Sequence, residues 1–380
     1  MSDPTNDPEK GEITSTTKFE ASSTTSKASI SEGQITPIKS SRTTQFWTAL
    51  RSELTETRGV SRVPPNARQS ASSTQYIQMI SLWTSANLTA NHLALGLLGP
   101  KIYGLSFLDS ALCATFGVLT GCLCTAYIAT FGPQSGNRTM IVTRYHMGWW
   151  PSRLVVVLNL VIMIGYGVID SVVGGQMISA VAGGQNLSIV VGVVIVAVVT
   201  WAITVIGLPL LHIYERYGWI PQATITANRL SMFSLCLGAT SAWAPAAADF
   251  YVYYPETTPK TLVFLLTWAG EALGYLFTLY LGIGIASGIP NNPTWYAANE
   301  ISPGAILVAS FDSLGGFGKF LATIVMLGVI ANNAPGTYAC GLGFQCLGSW
   351  PLRVPRMVWN SFAVLVAFYL LWGIGVRYGW

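Results

Sequence analysis

The chain has 380 residues, of which 51% are apolar and only 9% are charged, and its formal net charge is +4. Soluble globular domains carry about 25% charged residues, so this composition excludes an ordinary soluble domain and favours a membrane protein. The basic residues are scattered and form no block of the kind that binds nucleic acid.

Residues 1–75 differ in composition from the rest of the chain, because they hold 9 of the 20 lysines and arginines and 8 of the 16 acidic residues. They show almost no apolar periodicity, and a segment of this kind buries too little surface to offset its ordering entropy. We therefore predict a disordered cytoplasmic tail over 1–75 and a transmembrane domain over 76–380. The tail lacks the apolar core of a signal peptide, so we expect the first span to direct insertion.

Apolar segments long enough to cross a bilayer core of ~30 Å follow the tail. There are about eight of them, at 76–104, 105–131, 154–181, 188–208, 230–254, 261–289, 318–347 and 354–376. The connection 132–153 carries Arg138, Arg144 and Arg153, whereas the connection 182–187 carries no charge. By the positive-inside rule, the first connection and the N-terminal tail are cytoplasmic.

Three of these spans contain polar, glycine or proline interruptions, at 85–91, 241–245 and 332–336. Each interruption predicts a helix break that frees backbone groups at membrane depth. Such breaks are tolerated where they line a cavity, and in secondary transporters the half-helix ends bind substrates and coupling ions. The alternative for each is a kink whose backbone groups are satisfied by neighbouring helices.

Asp170 is the only charged residue in the apolar run 154–181. A charge at the membrane midplane costs at least ~2.5 kcal/mol, and intramembrane ionisable residues usually mark a substrate or proton path. The alternative is a protonated aspartic acid that only fixes helix packing. Tyr166 lies one turn earlier on the same face, and Trp243 lies beside Pro245 within a predicted break. Both rings could stack on a flat heterocycle, although Trp243 alone could equally be a core residue.

No sequence motif indicates catalysis or a bound cofactor. The chain has no G-x-S-x-G, no H-E-x-x-H and no P-loop. Its six cysteines form no C-x-x-C pair and its three histidines lack the spacing of metal ligands. We expect a protein that is not an enzyme, with no catalytic residues, no metal site and no cofactor.

Longer motifs distributed along the chain make it resemble a known family. They are Ser85-Ala-Asn-Leu-Thr with Leu95-Gly-Leu-Leu-Gly-Pro100, Phe131-Gly-Pro-Gln-Ser-Gly-Asn-Arg-Thr-Met140, Gly165-Tyr-Gly-Val-Ile-Asp170 with Gly174-Gly-Gln176, Tyr214-Glu-Arg-Tyr217, Trp243-Ala-Pro-Ala-Ala-Ala-Asp-Phe250, and Gly328-Val-Ile-Ala-Asn-Asn-Ala-Pro335. Over roughly residues 75–360 the chain resembles nucleobase-cation-symport family 1, specifically the fungal purine-cytosine permeases.

The resemblance implies an all-α polytopic fold of about twelve helices, built from two inverted five-helix repeats whose first and sixth helices are discontinuous. It also implies a central site where a base lies between an aromatic residue of the third helix, here Tyr166, and a tryptophan of the sixth, here Trp243. Asp170 falls at a position that is usually an amide. The remaining implied substrate-binding residues are Ser85, Asn87, Asn332, Asn333 and Pro335.

The chain departs from the family pattern in two places. The fifth helix is shortened near 219–229, and the sequence ends after what would be the ninth helix, so we expect about 8–9 of the 12 helices. These departures are what a truncated or mis-spliced gene model would produce.

The resemblance implies a secondary transporter that imports cytosine and purine bases across the plasma membrane, with a proton as the coupling ion. Asp170 is the first candidate for carrying that proton, and Glu215 is the second. The partners expected are a small-molecule nucleobase and the lipid bilayer, but no nucleic acid. Two alternatives remain: a related transporter of uracil, allantoin or a vitamin, and a truncated membrane protein that does not transport.

Overall fold

The computed structural model describes residues 59–69, 72–183, 187–206 and 225–378, and the regular elements in these ranges are all helical. In chain order they are α1 (Ser73–Asn87), α2 (Ala90–Lys101), α3 (Phe107–Ala129), α4 (Phe131–Ser135), α5 (Thr139–Met147), α6 (Trp149–Val181), α7 (Ile189–Ile206), α8 (Ile225–Ser241), α9 (Ala244–Ala247), α10 (Lys260–Gly288), α11 (Pro293–Ile301), α12 (Pro303–Ala309), α13 (Gly315–Cys346), α14 (Ser349–Arg353) and α15 (Arg356–Tyr378). Short 3₁₀ turns occur at Pro65–Ala67, Ala248–Tyr251, Ile289–Asn291 and Asp312–Leu314.

Within the described ranges, five helical segments are long and apolar enough to cross a membrane. They are Phe107–Ser135, Trp149–Val181, Ile225–Tyr251, Lys260–Asn291 and Pro303–Cys346. Two shorter apolar helices cover Ile189–Trp201 and Arg356–Leu370. Each of these seven segments overlaps one of the predicted spans, because an apolar run of this length satisfies its backbone within lipid only as a helix.

The first predicted span is a broken helix. α1 ends at Asn87 and α2 begins at Ala90, with Thr89 in an extended conformation between them. The predicted span 230–254 is also a broken helix. α8 ends at Ser241, and Trp243 precedes the single turn of α9. These two breaks were predicted from the polar cluster at 85–91 and from the Ala-Pro pair beside Trp243.

The third predicted break, at 332–336, is wrong. α13 runs unbroken from Gly315 to Cys346 with Pro335 inside it. A proline removes one backbone donor and its fixed φ is compatible with a helix, so a buried helix surrounded by partners can continue through it.

α10 lies against both halves of the broken first helix through residues spaced four apart. Gly270, Gly274, Thr278 and Gly282 share one face of α10, and Gly282 directly faces Gly96 of α2. A Cβ on Gly282 would lie 3.0 Å from the Gly96 Cα. Small residues let the two backbones approach to this distance, as is common between membrane helices.

The packed part of the chain begins before the predicted boundary at residue 76. Val63 is 1% exposed, its N–H donates to the Gly136 carbonyl at 2.8 Å, and the Gln69 N–H donates to the Tyr253 carbonyl at 2.8 Å. Most of the predicted tail, residues 1–58, lies outside the described residues. So does 207–224, which includes much of the predicted shortening near 219–229.

Candidate functional site

The break in the first helix exposes backbone carbonyls that side chains from three directions satisfy. The Asn87 carbonyl accepts from the His92 Nδ1–H at 2.8 Å and from the Thr278 hydroxyl of α10 at 3.4 Å. The Ala86 carbonyl accepts from the Asn332 amide of α13. A helix end normally leaves its last carbonyls without intrahelical donors, so these contacts explain how a break is stable at membrane depth.

Asp170 of α6 lies directly at this break. Its carboxylate is fully buried and accepts a hydrogen bond from the amide of Asn91, in the first turn of α2. The N-terminal end of a helix carries partial positive charge and favours an anion nearby. The break therefore supplies both a direct donor and a favourable dipole for a carboxylate that faces no lipid. Tyr166 is 5% exposed and lies one turn before Asp170 on the same helix.

Trp243, which lies between α8 and α9, contacts the same break of the first helix. Its Nε1–H donates to the Asn87 Oδ1 at 3.1 Å, and the Asn87 amide donates to the Trp83 carbonyl at 2.8 Å. The Trp83 ring meets Trp243 edge-on at 5.4 Å and meets Phe250 edge-on at 5.1 Å. The tryptophan indole is thus held by its hydrogen bond to Asn87 and by aromatic neighbours, and Asn87 links the two helix breaks.

The two asparagines of α13 point in different directions. Successive residues of a helix are separated by about 100° around its axis, so both side chains cannot face one site. Asn332 is fully buried and faces the break through Ala86. Asn333 instead lines a cleft between α6, α7, α13 and α15, together with Gly167, Ser171 and Thr337. The structure therefore brings Asn332, but not Asn333, to the break.

The remaining predicted residues fall into three situations. Ser85 is exposed, and its hydroxyl donates to the Leu82 carbonyl of its own helix at 3.1 Å. Pro335 is buried within α13, one turn beyond the Ala331 carbonyl that it leaves without a helical donor. Glu215 lies outside the described residues.

Two residues at the site were missed at the level of sequence. Asn91 appeared only as the end of a polar cluster, and its partnership with Asp170 depends on tertiary packing. Glu271 of α10 is a second fully buried carboxylate and the only charged residue in 261–299. The reasoning applied to Asp170, that a lone carboxylate in an apolar span needs an explanation, would have identified Glu271 as well.

A polar cluster closes one end of the bundle, where the chain segment before α1 meets α5. The Arg138 guanidinium donates from Nη1 to the Asp249 carbonyl at 3.1 Å and from Nε to the Gly59 carbonyl at 3.3 Å. The Tyr338 ring lies 5.7 Å from Arg138 and 4.3 Å from Arg356. Burial lowers the pKa of Arg138, and the nearby Asp249 carboxylate opposes that shift. An arginine remains charged in proteins, so the cluster keeps its ionic character.

The described residues contain no group of three histidine, cysteine, aspartate or glutamate side chains that could hold a metal ion. What the arrangement offers is a broken apolar helix, a buried carboxylate and aromatic rings at one depth of a membrane bundle. Broken helices that meet near the midplane are the architecture of secondary transporters. These features match the architecture of polytopic membrane permeases.

The comparisons with known proteins identify the particular group of permeases. The profile of the family described as permease for cytosine/purines, uracil, thiamine, allantoin matches residues 65–233 and 226–373. The chain belongs to this family, which consists of transporters and not of enzymes.

Similar proteins include transporters of more than one substrate. The vitamin B6 transporter TPN1 of Saccharomyces cerevisiae is 31% identical over 82% of this chain and 58% of that protein. The purine-cytosine permease fcyB of Emericella nidulans is 30% identical over 82% and 66%, and FCY2 of Saccharomyces cerevisiae is 30% identical over 80% and 62%. The chain therefore spans about three fifths of the length of these relatives.

A solved structure shares the fold. Mhp1, a nucleobase-cation-symport-1 family transporter in a closed conformation with bromovinylhydantoin bound, superimposes with a TM-score of 0.61 at 11% sequence identity. The superposition covers 87% of this chain and 76% of that one.

Proposed function

We propose that the protein imports cytosine and purine bases across the plasma membrane by proton symport. The observation that carries this proposal is the buried carboxylate of Asp170 at the break of the first helix, where it accepts from Asn91. A carboxylate has about four lone-pair sites, an acceptor capacity that can serve a donor of the ligand together with the Asn91 amide. The exocyclic amine of cytosine or adenine is a donor that fits this capacity.

The aromatic residues supply the second element of recognition. In the proposed complex the base lies between Tyr166 and Trp243, and Asn87 and Asn332 bind its edge. All four side chains are buried in the described conformation, and the Trp243 indole is already bonded to Asn87. Binding therefore exchanges internal hydrogen bonds for bonds to the base, and substrate entry requires the helix halves to separate. Ser85, Asn333 and Pro335 remain part of the proposed site as flanking residues.

A vitamin B6 compound is the second candidate substrate. It is favoured by the 31% identity to TPN1, which is slightly higher than the 30% identity to fcyB and to FCY2. Pyridoxine is also flat and aromatic, and its hydroxyl groups could donate to Asp170. Uracil and allantoin stay as further alternatives because the family description names both.

Uptake measurements in a host that lacks its own base and vitamin transporters separate these candidates. The chain is expressed at full length and the uptake of labelled cytosine is competed with adenine, uracil, allantoin and pyridoxine. Inhibition by adenine with little effect of pyridoxine supports the proposal, whereas inhibition by pyridoxine alone assigns the chain to the vitamin. Asp170→Asn is expected to weaken cytosine binding, and unchanged affinity in this variant would contradict base recognition by Asp170.

The inverted repeats and the orientation in the membrane are also part of this proposal. The two broken helices, α1–α2 and α8–α9, would each begin one of two inverted repeats, as in other transporters with discontinuous helices. The positively charged connection that contains α4 and α5 would face the cytoplasm, together with the N-terminal segment. Glu215 keeps its place as a second candidate for proton coupling.

A further inference from the structure

Glu271 lies in a buried polar cluster between α10, α3 and α8. Its side chain is fully buried, and its Oε1 accepts from the Thr125 hydroxyl of α3 at 3.5 Å. The same hydroxyl donates to the Thr240 carbonyl of α8 at 3.0 Å, which is the shorter contact. Oε2 has no hydrogen-bond partner among the described residues. A carboxylate whose donors are a distant hydroxyl and the weak thiol donor of Cys122 is poorly solvated for an ionised group.

Among the described residues, no lysine or arginine acts on Glu271. The ionisable side chains that act on it are Cys122 of α3 and Tyr275 of α10 itself, and α8 contributes the uncharged Thr240. The ion pairs of Arg68 with Glu256 and of Arg229 with Asp109 do not include it. A buried charge without an oppositely charged partner is strongly destabilising, and the ionised form of Glu271 is such a charge.

A continuous path of side chains connects Glu271 to the substrate site. Tyr275 lies one turn after Glu271 and interacts with Glu271, Tyr166 and Trp243. Its ring stacks on the imidazole of His92 with centroids 3.8 Å apart. His92 belongs to the first turn of α2, next to Asn91, the donor to Asp170. Glu271 and Asp170 therefore flank the broken first helix from α10 and α6.

We propose that Glu271 is the proton-carrying residue of the transport cycle, while Asp170 recognises the substrate. One proton adds to a carboxylate oxygen of Glu271 when the site faces the outside and leaves the same oxygen when the site faces the cytoplasm. Protonation removes the uncompensated charge and gives the carboxyl group an O–H donor. This assignment rests on the proposed function, because it describes the coupling step of the same transport reaction.

The test compares Glu271→Gln with wild type in reconstituted vesicles, using two modes of transport of labelled cytosine. Counterflow exchanges substrate without net proton movement, whereas accumulation in response to a pH gradient requires it. A gradient of about one pH unit can concentrate a substrate about tenfold when one proton is carried per molecule. Glu271→Gln imitates the protonated acid, so we expect counterflow close to wild type and an accumulation ratio of about one. Glu256→Gln, at an exposed carboxylate, is the matched control and should retain both modes.

The outcomes separate this assignment from the proposed function. Glu271→Gln that still accumulates cytosine with the wild-type pH dependence overturns the coupling role. Wild-type protein that exchanges none of the candidate substrates overturns the proposed function instead. If Glu271→Gln does not fold, Glu271→Asp decides: a folded variant with accumulation shifted along the pH axis supports the role, and an unshifted profile or misfolding of both variants assigns Glu271 to structure.

An infrared titration of the wild-type protein tests the protonation itself, independently of the substrate. The carbonyl stretch of a protonated carboxylic acid should decrease as the pH rises and should lose one component in Glu271→Gln. A spectrum that is the same in both proteins at every pH would exclude titration of Glu271.

Discussion

Gly274 of α10 packs directly against Asn87, a residue of the proposed substrate site. A Cβ at this position would lie 2.6 Å from the Thr84 carbonyl oxygen and 2.7 Å from the Asn87 Cβ. Carbon atoms in contact prefer a separation of about 3.5–4.0 Å, so Gly274→Ala requires Asn87 to move by about 0.8 Å or more. Asn87 cannot move this far without disturbing its hydrogen bond from Trp243, which is 3.1 Å long.

The expected cost follows from overpacking a rigid interface. Extra methyl groups in a well-packed core usually cost about 1–3 kcal/mol, and here the opposing atoms are a backbone carbonyl and a Cβ, which cannot rotate away. Gly284 lies on the same helix, and a Cβ there would meet no atom within 4 Å. Both substitutions gain about 1 kcal/mol of helix propensity, so the difference between the two variants isolates the steric cost at Gly274.

Thermal unfolding in detergent and cytosine uptake measure the two consequences. Gly274→Ala should be less stable than Gly284→Ala by about 1–3 kcal/mol and should bind substrate more weakly, because Asn87 is displaced. Gly284→Ala should match or exceed the stability of wild type. Equal stability of the two variants, together with unchanged uptake, would refute the argument that close contact with α10 positions Asn87.

Substitutions at three further positions test single contacts. Trp243→Phe keeps an aromatic ring but leaves the buried Asn87 Oδ1 without its donor, so the free energy of unfolding should fall by about 1–3 kcal/mol, and Trp243→Ala should lower it by about 3–5 kcal/mol. Arg138→Lys loses the Nε–H donor that reaches the Gly59 carbonyl, so hydrogen exchange of residues 59–69 should accelerate by about tenfold, and unchanged protection would contradict this role. Arg229→Ala removes a 2.8 Å ion pair to Asp109 whose side chains are 49% and 26% exposed, so the melting temperature should stay close to that of wild type, and a large decrease would contradict this expectation.

The sequence predicted the positions of the apolar helices and two of the breaks, because both features are encoded locally. A run of apolar residues at membrane depth has few structures open to it, and the polar cluster at 85–91 is dense enough to interrupt a helix. The interruption at 332–336 looks equally strong in sequence. It nevertheless forms a continuous helix, since the loss of one donor at Pro335 is compatible with helical geometry when neighbours surround it. Local pattern alone cannot distinguish these two cases.

The composition of the site was less accessible, because it depends on how helices are rotated toward one another. Helical periodicity separates Asn332 from Asn333, but only the packing of α13 shows that Asn332 faces the break. Likewise, the sequence shows that Asp170 needs a hydrogen-bond donor. Only the packing of α2 against α6 shows that this donor is Asn91. Glu271 was predictable from composition, since it is the lone charge of its span.

The contacts around the break divide the helices into two groups that differ in how firmly they hold the first helix. α10 packs extensively along α1, α2 and α3, and its glycine face leaves no free space for sliding. α6 and α13 pack extensively on each other but meet the first helix mainly through individual polar contacts, from Asn332 to Ala86 and from Asn91 to Asp170. A ligand with donors and acceptors can replace such hydrogen bonds at little net cost, whereas it cannot replace interlocked backbones. In the proposed complex, a substrate bound at the break would act on the boundary between the two groups, and Asp170 and Glu271 lie on opposite sides of that boundary.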